Sequence, residues 1–337
     1  MLYKLLVWDL QIPGWIDPSE VTLSATERQQ IMEDHIDAVI SRYCNPNVYP
    51  GVLTSIDVVN EAFNNTGQLK TTGPWAPINN YIDLAFQKAD EVRIDCGRQD
   101  IRLFYNDFGY EYGYTSQYED QLAKTNGIYN YLDQLIDTGT PIDGVGFQTH
   151  LTIDPNFPNF HSIHDLGHLV SNMLRFIQLG IDVEITELDV QIWDYSTDTA
   201  FNDPTIYYED QALVFSEIAY ACILAQRLSG QQNLPNGCTG IITWGTNDAD
   251  SWRVGTHGNT DPLLFWNRTE KLWDTVLDDC IDLVNLGANE NSVLMYCPKP
   301  AYYSVYDMFN LPAIWPESVF LPMLQNNSYP APLSGKQ

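Results

Sequence analysis

Positive charge is scarce in this sequence of 337 residues: 16 lysines and arginines stand against 44 aspartates and glutamates, a formal net charge of −28. Such an acidic surface repels polyanions, which argues against nucleic acids and anionic membranes as partners. No unbroken apolar run reaches the roughly 18 residues of a membrane-spanning helix. The sequence also lacks a C-x-x-C pair, a glycine-rich phosphate loop and a Walker motif. We therefore predict no metal and no cofactor.

Cysteines are few and far apart, and their even number, six, permits three disulfides. Cys44 and Cys96 end consecutive predicted helices on the same face, so we consider a bond between them. Cys280 and Cys297 lie near the two ends of segment 266–297, which has the character of an insertion, and a local bond would brace it. With the acidity and three N-x-[ST] sequons, these cysteines predict an extracellular protein, whose secretion signal would lie upstream of Met1.

Short apolar runs that end in polar residues alternate with helical patterns along the chain, which is typical of β/α units around a parallel sheet. Strands are predicted over residues 4–9, 55–60, 100–106, 143–149, 182–188 and 240–247. A capping box, Ser24-Ala25-Thr26-Glu27, predicts the start of the first helix. Further helices are predicted over residues 79–93, 117–137, 163–179, 207–228 and 301–309. Because several strands are apolar on both faces, we expect helices to cover the sheet on both sides.

Two glutamates, Glu61 and Glu187, directly follow apolar strand patterns. The active sites of parallel α/β barrels lie at the carboxyl ends of the strands, and a pair of carboxylates there suits glycoside hydrolysis. A single glutamate in such a position is more often a solvent-exposed strand end without a catalytic role. The pair is favoured by aromatic and amide neighbours that suit a sugar, which are also found at strand ends: Trp8, Asn60, Gln148, His150, Trp244, Asp248 and Trp252.

Five ordered motifs carry a family resemblance. They read Val58-Val59-Asn60-Glu61-Ala62, Gly144-Val145-Gly146-Phe147-Gln148-Thr149-His150, Ile185-Thr186-Glu187-Leu188-Asp189, Thr243-Trp244-Gly245 with Ser251-Trp252-Arg253, and Lys299-Pro300-Ala301-Tyr302. In order and spacing they resemble glycoside hydrolase family 10, whose members are mainly endo-β-1,4-xylanases with a (β/α)8 TIM barrel. The resemblance covers about residues 2 to 310.

The resemblance implies roles for individual residues. Glu61 would be the general acid/base and Glu187 the nucleophile of a retaining double displacement. Asn60 would bond the sugar 2-hydroxyl, and His150, with Asp189 behind it, would hold the nucleophile. Further substrate contacts would come from Trp8, Gln148, Trp244, Trp252 and Lys4, with Asn106, Asp107 and Arg253 in support. A disulfide between Cys222 and Cys238 is also implied.

The chain departs from the family pattern at its start. Family members usually carry His-x-Leu-Val-Trp-His where this chain has Lys4-Leu5-Leu6-Val7-Trp8-Asp9, so Lys4 and Asp9 replace two histidines. Counted against the family, this segment is the third strand. We therefore expect six of eight β/α units, strands 3 to 8. Three explanations for the two missing units are open. The sequence is truncated, or the fold tolerates a partial barrel, or the gap is covered by segment 266–297, by the tail or by a second copy of the chain.

Together these patterns predict a barrel domain over residues 1–310, with an insertion at about 266–297, and a proline-rich tail over residues 311–337. The predicted function is that of a secreted retaining endo-β-1,4-xylanase, which acts on the polysaccharide xylan. We expect a monomer, with self-association if the barrel is open. Two alternatives stay open: a carbohydrate-binding protein with impaired turnover, and a β-1,4-glucanase of the same fold.

Overall fold

A computed structural model describes most of the chain. The described residues are 2–3, 6–45, 53–113, 119–154, 166–194, 196–201, 204–248, 251–253, 261–267, 281–282 and 295–310. Lys4, Cys280, most of segment 266–297 and the tail 311–337 lie outside the described residues. Predictions about those parts of the chain, including the Cys280–Cys297 bond, therefore stay predictions.

Six parallel strands form the main sheet, as the apolar runs predict. In spatial order they are β1 (Leu2–Tyr3), β2 (Ser55–Asn60), β3 (Arg102–Asp107), β4 (Gly144–Phe147), β6 (Asp182–Asp194) and β8 (Cys238–Thr243). Within the described residues, β1 and β8 are the two edges of this sheet and do not pair with each other. The described part of the barrel is therefore open.

Several predicted strands differ in extent from the observed ones. The strand predicted over residues 4–9 is observed as β1 (Leu2–Tyr3) with an isolated bridge from Val7 to Val59, and the one predicted over 240–247 is observed as β8 (Cys238–Thr243). The predicted strand 143–149 is interrupted after Phe147, and a separate strand, β5 (His150–Ile153), resumes at His150. The predicted strand 182–188 continues to Asp194, because its second half pairs with β5 and with the short β7 (Thr199–Ala200). Polar residues in that second half conceal the strand from a search for apolar runs.

Six helices in the described part of the chain accompany the strands, and several of them pack against the sheet. They are α1 (Ala25–Tyr43), α2 (Tyr81–Asp95), α3 (Glu119–Asp137), α4 (Leu166–Ile177), α5 (Tyr208–Gln231) and α6 (Pro300–Asn310). The capping box forms as predicted: Ser24 Oγ accepts from the Glu27 amide, and the Glu27 carboxylate accepts from the Ser24 amide. All six residues of β2 are buried, as a strand covered on both faces requires.

Helix α5 is long and apolar enough to cross a membrane by length and composition, contrary to the expectation from unbroken apolar runs. Scattered polar residues hide this property from a search for continuous runs. About half of its apolar window is nevertheless buried inside the fold, and Phe215, Ile218 and Cys222 belong to the core. Such burial is typical of a core helix.

Two disulfides join elements of the barrel. Cys44 and Cys96, the C-terminal caps of α1 and α2, form one bond, and Cys222 of α5 bonds to Cys238 at the start of β8. A separate antiparallel sheet lies between β8 and α6 and consists of β9 (Phe265–Asn267), β10 (Ile281–Asp282) and β11 (Met295–Pro298). Its strands fall within or beside the predicted insertion.

Candidate active site

The two glutamates lie at the carboxyl-terminal end of the main parallel sheet, because the pairing of β6 with β4 and β8 ends at Ile185 and Leu188, on either side of Glu187. Glu61 directly follows β2, and its amide donates to the carbonyl of Asn106 on β3 at 2.9 Å. Glu187 lies within β6 and is buried. The parallel register aligns Asn60, which precedes Glu61, with Asn106, and Asn106 with Gly146 on β4. Both carboxylates thus lie at the same end of the sheet, where the carboxyl ends of its parallel strands meet.

Three amide side chains connect these carboxylates. Asn60 Oδ1 accepts from Asn106 Nδ2 at 3.0 Å and from Gln148 Nε2 at 3.2 Å. The same Asn106 Nδ2 donates to Glu187 Oε1 at 2.8 Å, and the same Gln148 Nε2 donates to Glu61 Oε1 at 3.0 Å. A continuous hydrogen-bonded path therefore runs from one glutamate to the other through Asn60.

Asn106 is fixed from both sides. Its Oδ1 accepts from the Thr186 hydroxyl at 2.6 Å, and Gly146 on the neighbouring strand makes room for it. A Cβ at Gly146 would lie only 2.3 Å from Asn106 Oδ1 and 2.7 Å from Thr186 Cγ2. The glycine is therefore needed for the close approach of this amide.

His150 lies between two carboxylates. Its Nε2 is 3.4 Å from Glu187 Oε2, and its Nδ1 is 3.1 Å from Asp189 Oδ1, both within ion-pair range. Burial lowers the pKa of His150, but the contacts with Asp189 and Glu187 outweigh it and raise the pKa to about 9. At neutral pH the imidazolium thus lies beside the Glu187 carboxylate.

Asp189 is held as a carboxylate by three neighbours. Burial raises its pKa, but His150 and Arg253 outweigh this and leave the pKa of Asp189 below its usual range. Arg253 donates through Nε at 2.9 Å, and its Nη2 lies 2.8 Å from the same oxygen. The indole Nε1 of Trp252 donates to the other oxygen at 2.8 Å. This network fixes His150 from the side opposite Glu187.

Of the three tryptophans predicted to contact substrate, Trp8 and Trp244 follow strand pairings of the main sheet, and Trp252 lies beyond β8 in the segment 251–253. Trp8 follows the first strand segment, and its carbonyl accepts from Trp75 Nε1 at 2.9 Å. The Trp244 amide donates to the carbonyl of Leu188, directly after β8. Trp252 is 45% exposed, and its ring meets His150 edge-on at 5.4 Å. An indole that is both fixed and exposed is suited to stacking on a sugar ring.

Asp9, which replaces a family histidine, forms an ion pair with Lys70 at 3.5 Å. Burial raises the pKa of Asp9 and the nearby Glu61 adds to this, while Lys70 acts in the opposite direction. Gly73 lies directly against this carboxylate, because a Cβ there would approach its Cγ to 3.0 Å. Asp9 therefore has Lys70 as a counter-ion in this structure.

Four residues of this network were not predicted from the sequence. Thr186 orients Asn106, and Lys70 pairs with Asp9. Glu111 is buried and accepts from the amide of Thr149 at 3.0 Å, and Tyr105 contacts the backbone next to Glu61. Their local sequence carries no distinguishing pattern, except that Thr186 lies inside the motif around Glu187.

The family model of glycosyl hydrolase family 10 matches residues 3–273. The chain belongs to this family. Membership places the fold in the (β/α)8 barrel class, of which the described residues supply six parallel strands. The five motifs thus identify the family correctly.

Curated relatives of this family 10 chain include endo-1,4-beta-xylanase 2 of Aureobasidium pullulans, 30% identical over 78% of this chain and 63% of the relative. Endo-1,4-beta-xylanase 1 of Gibberella zeae is 30% identical over 78% of this chain and 64% of its own length. The chain therefore spans slightly less than two thirds of these two relatives.

Solved structures of family 10 are also similar to this one. Xylanase 10B from Thermotoga maritima superposes with a TM-score of 0.64 at 28% identity, over 90% of this chain and 72% of that one. Xylanase 10B from Thermotoga petrophila RKU-1, in complex with xylobiose, gives a TM-score of 0.63 at 28% identity, over 90% and 71%.

Proposed function

We propose that this chain is a retaining endo-β-1,4-xylanase, in which Glu187 is the nucleophile and Glu61 the general acid/base. The proposal is carried by the hydrogen-bonded path that joins these two carboxylates through Asn60. Named relatives and solved neighbours that are xylanases support xylan as the substrate.

The proposed reaction has two displacements. Glu187 attacks the anomeric carbon while Glu61 donates its proton to the leaving oxygen, which gives a covalent glycosyl-enzyme. Glu61, now a carboxylate, takes a proton from water, and that water displaces Glu187 from the anomeric carbon. The different surroundings of the two groups suit this division of roles: Glu187 is bonded by Asn106 and lies beside His150, whereas Glu61 accepts from a neutral amide.

Two buried donors favour a hydroxyl-rich ligand. Asn60 Nδ2 and Trp8 Nε1 are buried, and neither has a hydrogen-bond partner in the described part of the chain. Buried polar groups without partners are costly. A sugar hydroxyl would satisfy each of them, and at Asn60 it would do so next to both carboxylates.

The location and assembly of the protein belong to the same proposal. Two disulfides are stable in an oxidising compartment, which supports an extracellular enzyme. We propose that it acts as a monomer on polymeric substrate. Sedimentation of the purified chain tests the monomer, because an exposed sheet edge that recruits a second copy would double the mass.

Replacement of Glu187 by Gln tests the nucleophile. We expect xylan hydrolysis to fall by at least about 1,000-fold, since covalent catalysis is lost while the side-chain volume is kept. Glu184→Gln is the matched control: it lies on the same strand, three residues earlier, and contacts Thr239 instead of the site. Loss of activity in the control alone, or full activity in Glu187→Gln, would contradict the proposal.

Calorimetry separates the alternative functions with the same protein. Xylohexaose that binds without release of reducing sugar would indicate a carbohydrate-binding protein. Preferential cleavage of cellohexaose would indicate a β-1,4-glucanase. Cleavage of xylohexaose to shorter oligosaccharides is the result that we expect.

A further inference from the structure

The backbone at Glu61 has an uncommon conformation. Its φ is +54°, in the left-handed region that residues with a Cβ adopt at a cost. Such conformations persist only where the surrounding structure determines them. The direction in which the Glu61 side chain leaves β2 depends on this one dihedral angle, so whatever holds the turn also positions the carboxyl group.

Strand β3 holds this turn at two consecutive amides. The Glu61 amide donates to the carbonyl of Asn106 at 2.9 Å. The next amide, that of Ala62, donates to the Tyr105 hydroxyl at 3.2 Å. The first contact continues the sheet ladder, but the second replaces a backbone acceptor with a side chain. The turn directly after Glu61 is therefore held at the Ala62 amide by a phenolic oxygen, while the Ala62 carbonyl accepts from the Lys70 amide at 2.9 Å.

The Tyr105 hydroxyl is itself oriented by a buried ion pair. It donates to Asp107 Oδ2, while Asp107 Oδ1 accepts from Lys124 Nζ at 2.8 Å. Tyr105, Asp107 and Lys124 are all at most 1% exposed. Because the Tyr105 hydroxyl donates its proton to Asp107, its oxygen lone pairs are free to accept from the Ala62 amide.

The charge of Lys124 matters to this arrangement. Burial raises the pKa of Asp107, and the ammonium group of Lys124 is the largest opposing influence. Burial also keeps Tyr105 protonated, with its pKa well above the usual range. A fully buried ion pair is weak evidence for stability, since its desolvation offsets much of its attraction. A role in fixing geometry accounts for it better.

We propose that Tyr105 is a positioning residue for Glu61. Its hydroxyl, fixed by the Asp107–Lys124 pair, holds the left-handed turn that presents the carboxyl group to the leaving oxygen. Glu187 depends on different contacts, from Asn106 and His150. Loss of the hydroxyl should therefore impair proton transfer and leave the nucleophile in place. This inference rests on the proposed acid/base role of Glu61.

Tyr105→Phe tests the inference on two aryl xylobiosides. The phenyl glycoside needs proton donation to its leaving group, whereas the 2,4-dinitrophenyl glycoside does not. We expect kcat/KM for the phenyl substrate to fall about 10- to 100-fold, part of the usual contribution of acid/base catalysis. For the dinitrophenyl substrate we expect a change below about 3-fold, because its glycosylation step needs only the nucleophile. Azide should partly restore kcat on the dinitrophenyl substrate.

Tyr110→Phe is the matched control. Tyr110 is equally buried, but its hydroxyl donates to the carbonyl of Gly146 at 2.8 Å and does not contact the turn. For Tyr110→Phe we expect the ratio of kcat/KM on the phenyl substrate to kcat/KM on the dinitrophenyl substrate to equal that of the parent. Asp107→Asn, which keeps the shape of the side chain, provides a second variant if Tyr105→Phe is poorly folded by circular dichroism, with the same selective loss expected.

Glu61→Ala separates this inference from the proposed function. If Glu61→Ala shows the selective loss and azide rescue but Tyr105→Phe is unaffected, or loses both substrates equally, the positioning role is overturned. If Glu61→Ala itself loses both substrates equally, the acid/base assignment fails, and the inference fails with it.

Discussion

The raised pKa of His150 makes the stability of the fold depend on pH in a specific window. Burial opposes protonation, but Asp189 and Glu187 raise the pKa from 6.5 to about 9. A group whose pKa is higher in the folded state stabilises that state fully below its unfolded pKa. This contribution is lost as the pH rises from about 6.5 to about 9, and the difference corresponds to about 3 kcal/mol.

Urea unfolding of the parent and of His150→Gln, at pH 6 and at pH 9.5, measures this contribution. Groups that the two proteins share cancel in the difference between their free energies of unfolding. We expect that difference to decrease by about 3 kcal/mol between the two pH values, because only the parent loses the imidazolium. An NMR titration of the imidazole, with its midpoint near pH 9, would report the same event directly.

His35→Gln on α1 is the control for the loss of a histidine. Burial lowers the pKa of His35, so this residue contributes no stability that is lost at alkaline pH. A difference between parent and His150→Gln that stays constant from pH 6 to pH 9.5 would refute the reasoning. It would mean that the two carboxylates do not hold His150 in its protonated form.

Four further changes have measurable consequences. Replacement of Cys44 and Cys96 by Ser opens a crosslink between residues 52 apart in sequence, which should lower the free energy of unfolding by about 4 kcal/mol in denaturant titration. The shorter second disulfide should contribute about 3 kcal/mol by the same relation. Gly146→Ala places a Cβ against Asn106 Oδ1, so we expect kcat on xylan to fall at least about tenfold, and an unchanged kcat would contradict the tight fit. Ser24→Ala removes the cap of α1 and should cost about 1 kcal/mol, seen as a lower midpoint in urea.

Much of the fold could be predicted from local patterns. Period and length of the apolar runs indicate six parallel strands, because burial on both faces leaves a continuous apolar signature. Ser24 and Glu27 indicate the start of α1, since capping depends on residues only three apart. These predictions succeed because their physical causes act within a few residues of chain.

Other features depend on residues that the sequence places far apart. The second half of β6 is a strand because β5 and β7 pair with it, although Asp189 and Gln191 interrupt its apolar run. The breaks in the apolar pattern are functional or bonded side chains: Asp189 holds His150, and Gln191 Nε2 donates to Thr152 Oγ1. Burial of a polar side chain is tolerated only where such partners exist.

Local segments of the chain are enough to identify the family, the parallel sheet and the two glutamates, because each of these is a property of a short stretch of sequence. The connections within the site arise only on folding. Asn60 and Gln148 are 88 residues apart, and they meet because parallel register aligns the ends of strands. Only the folded chain places Tyr105 under the turn at Glu61, since a left-handed residue and its buried acceptor leave no periodic pattern.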